Sequence, residues 1–190
     1  MIEWLEQLDQ QATLFLNGFH SPLMDKIMWI ITIKFTWIPL YLLLVYFLFK
    51  FYKKEAWYWL IGILLLVIAT DLFTSSFLKP LTGRLRPCHD PELQTIIHNY
   101  NKCGGLYSFV SGHSANSFAI ATFIFMVLKS KLRYIWTLFL FAALVAYSRV
   151  YLGVHFLGDI LVGGIIGSFF ALAIFKITLK IQSILSVNSD

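Results

Sequence analysis

Charged residues are scarce in this chain. Asp, Glu, Lys and Arg together make up 13% of its 190 residues, whereas hydrophobic residues make up 58%. With a mean hydropathy of +0.73, the chain has too little charge to give a soluble domain a polar surface, so we predict a membrane protein. The net charge of +5 does not indicate nucleic acid, because the basic residues stand at the ends of apolar runs.

The N-terminal segment lacks the features of a cleavable signal peptide. Its first 20 residues are acidic rather than basic and contain no uninterrupted apolar core. We therefore expect residues 1–22 to be retained as a helix that lies in the membrane interface and ends at Ser21 and Pro22. The apolar residues of this helix recur at roughly helical spacing: Trp4, Leu5, Leu8, Phe15, Leu16 and Phe19.

The apolar runs predict an all-α integral membrane bundle of about five transmembrane helices, in one domain over residues 1–190. The predicted spans are 26–49, 57–78, 113–128, 134–147 and 155–177. The basic clusters that follow the first, third and fifth spans share one side, which the positive-inside bias makes cytoplasmic. The N-terminus, the 79–112 loop and the 148–155 turn then face outward, and the C-terminus is cytoplasmic.

A histidine and an aspartate stand four residues apart at the start of the fifth span. His155 and Asp159 share one helical face, so the carboxylate can hold one ring nitrogen and leave the other free to attack. A lone membrane histidine is more often a buried structural residue. The nearby carboxylate and Arg149, six residues upstream, favour an oriented nucleophile instead.

Two further polar clusters fall on the same outward side. Ser111 and Gly112 precede the third span, where backbone amides and the positive end of the helix form an anion site beside His113. Lys79 and Arg86 suit a phosphate dianion, one as a point charge and the other as a bidentate fork. The structural alternatives are an ordinary helix cap and charges that merely flank a span.

Taken together, the clusters supply the parts needed for phosphoryl transfer. They provide an oriented nucleophile, a second histidine that can protonate a leaving oxygen, and three cations that can hold phosphate. Charged residues near a bilayer core are costly, at roughly 2.5–3.5 kcal/mol each at its centre, so four of them without a role would be a heavy burden.

Two features of the 79–112 loop allow more than one interpretation. Arg84, two residues before Arg86, either reaches a second phosphate or headgroup or faces water. Cys88 and Cys103 are the only cysteines and form a disulfide if the outward side is oxidising; otherwise they are free thiols. The remaining polar residues of the loop do not form a convincing metal site, so no metal is expected.

These motifs resemble the type-2 phosphatidic acid phosphatase family, which is related in fold to the vanadium haloperoxidases. The family pattern is Lys-x6-Arg-Pro, then Pro-Ser-Gly-His, then Ser-Arg-x5-His-x3-Asp. It is met here by Lys79, Arg86 and Pro87, by Ser111, Gly112 and His113, and by Ser148, Arg149, His155 and Asp159. Val110 stands where the family usually has proline, a position that shapes the turn.

The resemblance implies a lipid phosphatase with a vanadium-haloperoxidase-like core and neither metal nor other cofactor. It implies that His155 attacks phosphorus to form a phosphohistidine, that Asp159 orients it and that His113 protonates the departing oxygen. The phosphate oxygens would be held by Lys79, Arg86, Ser111, Gly112 and Arg149.

By analogy with small bacterial members of that family, we expect undecaprenyl diphosphate as the substrate. Phosphatidylglycerol phosphate, phosphatidic acid and the phosphates of lipid A are alternatives. So are phosphoryl transfer to another lipid, and a lipid-binding or transport protein without chemistry. The expected partners are the lipid substrate and membrane lipids, with neither nucleic acid nor an obligate protein partner. In a bacterium the membrane would be the plasma (inner) membrane, with the site facing the periplasm or exterior.

Overall fold

The computed structural model describes residues 3–187, and these residues are almost entirely helical. Within them no β-strand forms, and an isolated bridge joins Leu85 to Tyr107 in the long loop. The α-helices are α1 Glu3–Asn17, α2 Pro22–Thr32, α3 Ile38–Tyr52, α4 Ala56–Asp71, α5 Lys79–Thr82, α6 Gly112–Leu128, α7 Leu138–Tyr151 and α8 Leu157–Val187. A π-helical stretch, Leu72–Leu78, joins α4 to α5. Short 3-10 turns occupy Lys34–Trp37, Lys53–Glu55, Pro87–His89 and Ile135–Thr137.

The prediction of one continuous helix over residues 26–49 is wrong, because the chain breaks between α2 and α3. Ile33 is extended, with φ −72° and ψ 124°, and α3 carries Pro39 in its first turn, where proline is tolerated as it is not in a helix interior. The side chains of Thr36 and Trp37 each donate a 2.7 Å hydrogen bond to a carbonyl near the end of α2. The break brings the end of α2 and Lys34 to the wall of the cavity described below.

The other four predicted spans are helical, with shifted ends. Helical structure covers 57–78 without interruption, and α6 begins one residue before the predicted 113. The helix predicted at 134–147 begins as α-helix at Leu138 and ends at Tyr151. The last helix extends to Val187, ten residues beyond the predicted 177.

The exterior of the bundle suits hydrocarbon. Two helical stretches are long and apolar enough to cross a membrane: Lys34–Thr82, which turns back at Lys53–Glu55, and Leu157–Leu185. The apolar helices α6 and α7 are shorter, at 17 and 14 residues, or about 25 and 21 Å at 1.5 Å per residue. Large apolar side chains face outward, as Ile165 and Phe169 do on α8, at 69% and 70% exposure.

Two glycines let α8 pack directly on the backbone of α6. A Cβ on Gly167 would lie 2.0 Å from the carbonyl oxygen of Ala115, and one on Gly163 would lie 2.8 Å from that of Ser111. Both distances are too short for any side chain, so glycine is required for this approach. The close contact brings the start of α8 alongside the start of α6, which is where two of the three sequence motifs lie.

The N-terminal helix α1 turns polar residues toward the protein. Thr13 and Asn17 are buried, and the Asn17 amide donates to the carbonyls of His98, Val150 and Tyr151 at 2.9, 3.2 and 2.8 Å. Several apolar residues of α1 face away from the protein, among them Trp4, Leu8 and Phe15, whereas Leu16 packs against a buried cluster. A helix is therefore present within the predicted segment 1–22, and it joins the 79–112 loop to the end of α7.

Candidate active site

Residues from three distant parts of the chain surround one cavity of about 390 Å³ at the loop end of the bundle. Six of the predicted site residues line it: Lys79, Arg86, Gly112, His113, Arg149 and His155. Two others, Ser111 and Asp159, are fully buried and lie behind its wall. The sequence placed these groups on one side of the membrane, and the structure brings them into one pocket.

His155 lies in the five-residue connection between α7 and α8. Its Nδ1 is 3.2 Å from Oδ2 of Asp159, and the same oxygen accepts a 2.9 Å hydrogen bond from the Phe156 amide, as in a capping box at a helix start. The Ser108 hydroxyl donates a short hydrogen bond to that oxygen as well. With Nδ1 serving as the donor to Asp159, Nε2 is the nitrogen that can attack.

Burial keeps this imidazole neutral at physiological pH. Desolvation lowers the pKa of His155 to about 4, although the hydrogen bond and charge of Asp159 act in the opposite direction. The side chain is 1% exposed. A neutral ring has a free lone pair on Nε2, which a nucleophile requires.

The connection that carries His155 is shaped by Gly153. This residue has φ +70°, and a Cβ there would lie 2.5 Å from the carbonyl oxygen of His98. Only glycine combines that backbone conformation with such a close neighbour. The 79–112 loop is therefore pressed directly against the connection that carries His155.

The three cations reach the cavity from different elements. Lys79 begins α5, and Arg149 lies in the last turn of α7. Arg86 extends from the loop, where its Nε and Nη1 donate to the carbonyls of Tyr107 and Cys103 at 3.2 and 3.0 Å. Among the described residues nothing accepts from its Nη2, which is free for a ligand. Burial lowers the pKa of Arg86, against the opposing charge of Asp159.

Arg149 has an unsatisfied donor. Its Nη1 donates to the Thr32 hydroxyl at the end of α2, but its buried Nε has no partner within residues 3–187. A buried donor without a partner costs about 1–3 kcal/mol. An anion in the cavity would satisfy it.

The start of α6 is fixed to the start of α8. The amide of Ser111 donates to the carbonyl of Asp159 at 3.1 Å, and the Ser114 hydroxyl donates to that of Ile160 at 2.6 Å. Ser111 also caps α6, its side chain accepting from the Ser114 amide. The amides of Gly112 and His113 have no partner within the helix, as is general for a first turn, and both residues line the cavity.

Arg84 does not join the cavity wall. Its guanidinium forms ion pairs with Asp9 at 2.8 Å and with Asp159 at 3.0 Å, and it lies over the Phe156 ring with its carbon 3.8 Å from the centroid. Both of its terminal nitrogens are thus bound to carboxylates. The expectations of a second-phosphate contact and of a water-facing side chain do not fit this geometry.

The long loop is closed by a disulfide. Cys88 and Cys103 are bonded in the structure, with a sequence separation of 15, which is the paired alternative of the two considered from the sequence. The carbonyl of Cys103 is one of the two acceptors that orient Arg86. The disulfide therefore constrains a cation of the cavity. No group of three or more His, Cys, Asp or Glu residues that could hold a metal ion occurs in the part of the chain that the structure describes.

Sequence reasoning assigned no role at the site to several groups that the structure places at or beside the cavity, including the following four. Lys34 lines it, Thr32 binds Arg149, and Ser108 and Asp9 bind the Asp159–Arg84 pair. A usable signal existed only for Lys34, since a lysine within a predicted span is itself a hint of function. The others are ordinary polar residues whose partners are far away in sequence.

Comparison with known proteins agrees with this geometry. The PAP2 superfamily profile matches residues 60–183, a range that contains all eight predicted catalytic and phosphate-binding residues but not α1. Lipid A 4'-phosphatases of Porphyromonas gingivalis and Bacteroides thetaiotaomicron are 36% and 39% identical, over 96% of this chain and 78% and 84% of theirs.

A solved structure gives the same result for the fold. The first transmembrane PAP2 type phosphatidylglycerolphosphate phosphatase from Bacillus subtilis superposes with a TM-score of 0.70 at 25% identity. The match covers 93% of this chain and 87% of that one. The helical bundle is thus similar to that of a transmembrane enzyme.

Proposed function

The chain belongs to the PAP2 superfamily, and from that premise we propose that it hydrolyses a phosphate monoester of a lipid A-type glycolipid through a phosphohistidine on His155. Its membership and its relatives make it a membrane lipid phosphatase. The choice of lipid and the roles of individual residues are the steps proposed here.

One observation carries the proposed mechanism. A buried histidine whose Nδ1 is bound by Asp159 borders the same cavity as the three predicted cations, Lys34 and a second histidine. Positive charge fixed in a partly buried cavity attracts a phosphate dianion and stabilises the charge that develops on its oxygens during transfer. The unpartnered Nε of Arg149 supports an acceptor-rich ligand at this position.

The proposed reaction has two steps. Nε2 of His155 attacks phosphorus, a P–N bond forms, and the bond from phosphorus to the lipid oxygen breaks. His113, in its imidazolium form, donates a proton to that oxygen, which leaves as the lipid alcohol. His113 then accepts a proton from water, whose oxygen attacks phosphorus and breaks the P–N bond, so that inorganic phosphate is released and His155 is neutral again.

Support for a glycolipid comes first from the relatives, two of which are named lipid A 4'-phosphatases. A second cavity of about 290 Å³ shares Arg86, His113 and Arg149 with the first and continues beneath the long loop. Trp29, Tyr100 and Lys102 contribute to its lining. Aromatic rings pack against the C–H face of a sugar and an ammonium binds its hydroxyls, so this space suits a sugar headgroup.

We do not favour undecaprenyl diphosphate, the substrate expected from the sequence. The relatives reported above are named for lipid A and phosphatidylglycerolphosphate, and Arg84, which alone hinted at a second phosphate, is engaged by two carboxylates. Phosphatidylglycerol phosphate is the second candidate because of the structural match. Its small headgroup would leave the loop cavity largely unfilled.

We also propose that the site faces away from the cytoplasm. The lysines of the α3–α4 turn and the basic residues after α6 lie at the end of the bundle opposite the cavity. The C-terminal part of α8 lies at that end as well, since Gln182 donates a 2.7 Å hydrogen bond to Glu55 in the turn. The positive-inside bias makes this end cytoplasmic.

The test is phosphate release by purified protein in detergent from a panel of lipids. The panel contains lipid A bearing a 4'-phosphate, phosphatidylglycerol phosphate, phosphatidic acid and undecaprenyl diphosphate. We expect the highest kcat/KM for lipid A, no release by His155→Ala, and a phosphohistidine in acid-sensitive, base-stable form after quenching. Equal rates on all four lipids would contradict the glycolipid assignment, and full activity of His155→Ala would contradict the mechanism.

A further inference from the structure

A chain of charged side chains extends from the N-terminal helix to the nucleophile. Oδ2 of Asp9 in α1 accepts from Nη2 of Arg84 at 2.8 Å, and Nη1 of Arg84 donates to Oδ1 of Asp159 at 3.0 Å. The other oxygen of Asp159 binds Nδ1 of His155. Asp159 is fully buried, and the side chains of Arg84 and Asp9 are only 11% and 16% exposed.

Arg84 is held rigidly in this chain. Its guanidinium lies 3.8 Å from the centroid of the Phe156 ring, a stacking geometry that favours a cation. Asp9 is fixed in turn, because its Oδ1 accepts a 2.7 Å hydrogen bond from the amide of Gly158 in the first turn of α8. A Cβ on Gly158 would lie 2.9 Å from the carboxylate, so the Asp9 side chain would have to shift if residue 158 were larger than glycine.

Arg84 is the charged donor to the catalytic carboxylate. Oδ2 of Asp159 receives His155, the Phe156 amide and the Ser108 hydroxyl, whereas Oδ1 receives Arg84. The arginine therefore fixes the plane of the carboxylate and partly neutralises its negative charge. Both effects determine how the imidazole is oriented and how readily it takes up a proton.

We propose that Asp9 and Arg84 are positioning residues for the phosphoryl transfer, acting on His155 through Asp159. Asp9 orients Arg84, Arg84 holds Asp159, and Asp159 aims the imidazole at phosphorus. The proposal rests on the proposed function and extends it to α1, a helix outside the range that defines the family match. It also gives Arg84 a role different from that of Arg86, two residues later, which lines the cavity.

The experiment measures kcat, KM and the pH dependence of kcat/KM for phosphate release by Asp9→Asn, Arg84→Lys, Arg84→Met and the double variant Asp9→Asn/Arg84→Met. Asparagine keeps an oxygen for the Gly158 amide and loses the charge that orients Arg84. Matched controls are Glu3→Gln, an exposed carboxylate on the same helix, and Arg133→Met in the loop at the opposite end of the bundle. Melting temperatures in detergent identify variants that do not fold.

We expect kcat to fall about 10-fold in Asp9→Asn and about 100-fold in Arg84→Met, with KM within about twofold of wild type, as for residues that orient a catalytic group. Arg84→Lys should lie between, because one ammonium cannot hold both carboxylates. The double variant should match Arg84→Met, since Asp9 acts through Arg84. In Arg84→Met the charge of Asp159 is no longer partly neutralised, so Asp159 should raise the pKa of His155 more strongly. The acid limb of kcat/KM should therefore move to higher pH.

Three results would overturn the proposal. Wild-type kcat and pH dependence in both single variants would show that the charges have no effect on catalysis. A raised KM in Arg84→Met with a silent Asp9→Asn would show that Arg84 binds substrate directly. A lower melting temperature with an unmoved acid limb and multiplicative losses in the double variant would show a structural role alone. If Arg84→Met does not fold, Arg84→Lys and Asp9→Asn decide the question by the same criteria. An inactive wild-type protein would instead refute the proposed function.

Discussion

The contact between α6 and α8 gives the sharpest prediction from the fold. Replacing Gly167 by alanine puts a methyl group where a Cβ would lie 2.0 Å from the Ala115 carbonyl oxygen. Separations below 3.0 Å are essentially never seen for real Cβ atoms, so the two backbones must move apart by at least about 1 Å at this point. Overpacking of this kind costs about 1–3 kcal/mol of stability.

We expect this separation of α6 and α8 to affect catalysis more than folding. Gly167 lies eight residues after Asp159 on the same helix, and the start of that helix holds His155 against the cavity. A misplacement of about 1 Å in a catalytic group can lower the rate roughly 100-fold. We expect Gly167→Ala to lose about that factor in kcat for phosphate release, with a lower melting temperature in detergent.

The control is another glycine with open surroundings. Gly105 in the long loop has no heavy atom within 4 Å of an added Cβ and no positive φ, so Gly105→Ala should retain wild-type kcat and melting temperature. If Gly167→Ala has wild-type activity and stability, the helices are not in backbone contact there. The argument that this contact sets the spacing of the catalytic groups would then be refuted.

Other predictions concern individual groups of the site. The pKa of His155 is lowered to about 4 from its ordinary ~6.5, so as the pH falls the unfolded chain binds a proton at this residue before the folded chain does. The free energy of unfolding should therefore fall by up to about 3 kcal/mol between pH 6.5 and 4. The melting temperature of His155→Gln should depend less on pH over that range than that of wild type, and identical curves would refute this. Reduction and alkylation of the Cys88–Cys103 disulfide should raise KM several-fold, because the loop that orients Arg86 loosens, and the Cys88→Ser/Cys103→Ser variant without reductant should show the same rise. An unchanged KM in both proteins would contradict this. Arg149→Lys should lower kcat/KM by about 10–100-fold, because the fork that satisfies both Thr32 and phosphate is lost, and a change below twofold would argue against phosphate binding there. Phosphate release should be unaffected by EDTA, since the three side-chain cations supply the positive charge; loss of activity that added metal restores would overturn this.

Much of the candidate site could be predicted because its residues stand at short, regular separations in the sequence. His155 and Asp159 are four residues apart at a helix start, and the carboxylate does contact the imidazole. Lys79, Arg86, His113 and their neighbours were identifiable because charge is costly near a bilayer. Helix ends were less accessible: the extended conformation of Ile33 breaks the first predicted span, and Pro39 was the signal that could have placed that break.

The lipid substrate could not be predicted from residue spacing in this way. Analogy with short bacterial enzymes favoured a diphosphate, and Arg84 was the one residue that supported it. Its side chain instead binds Asp9 and Asp159. The motif singled out Arg86, but nothing in the local sequence fixed where Arg84 points, because loop residues have no helical period that sets the direction of a side chain.

The sequence by itself determined that this is a helical membrane protein, and it predicted which side chains would carry phosphoryl-transfer chemistry. Both conclusions depend on local properties, namely apolar run length, residue spacing and the cost of charge in hydrocarbon. The tertiary structure alone decided that Arg84 turns to two carboxylates, that α1 contacts the region of His155 and Asp159, and that α6 and α8 meet at glycine. Those outcomes depend on contacts between segments about 50 to 150 residues apart, such as Asp9 with Gly158, and such contacts leave no periodic pattern in the chain.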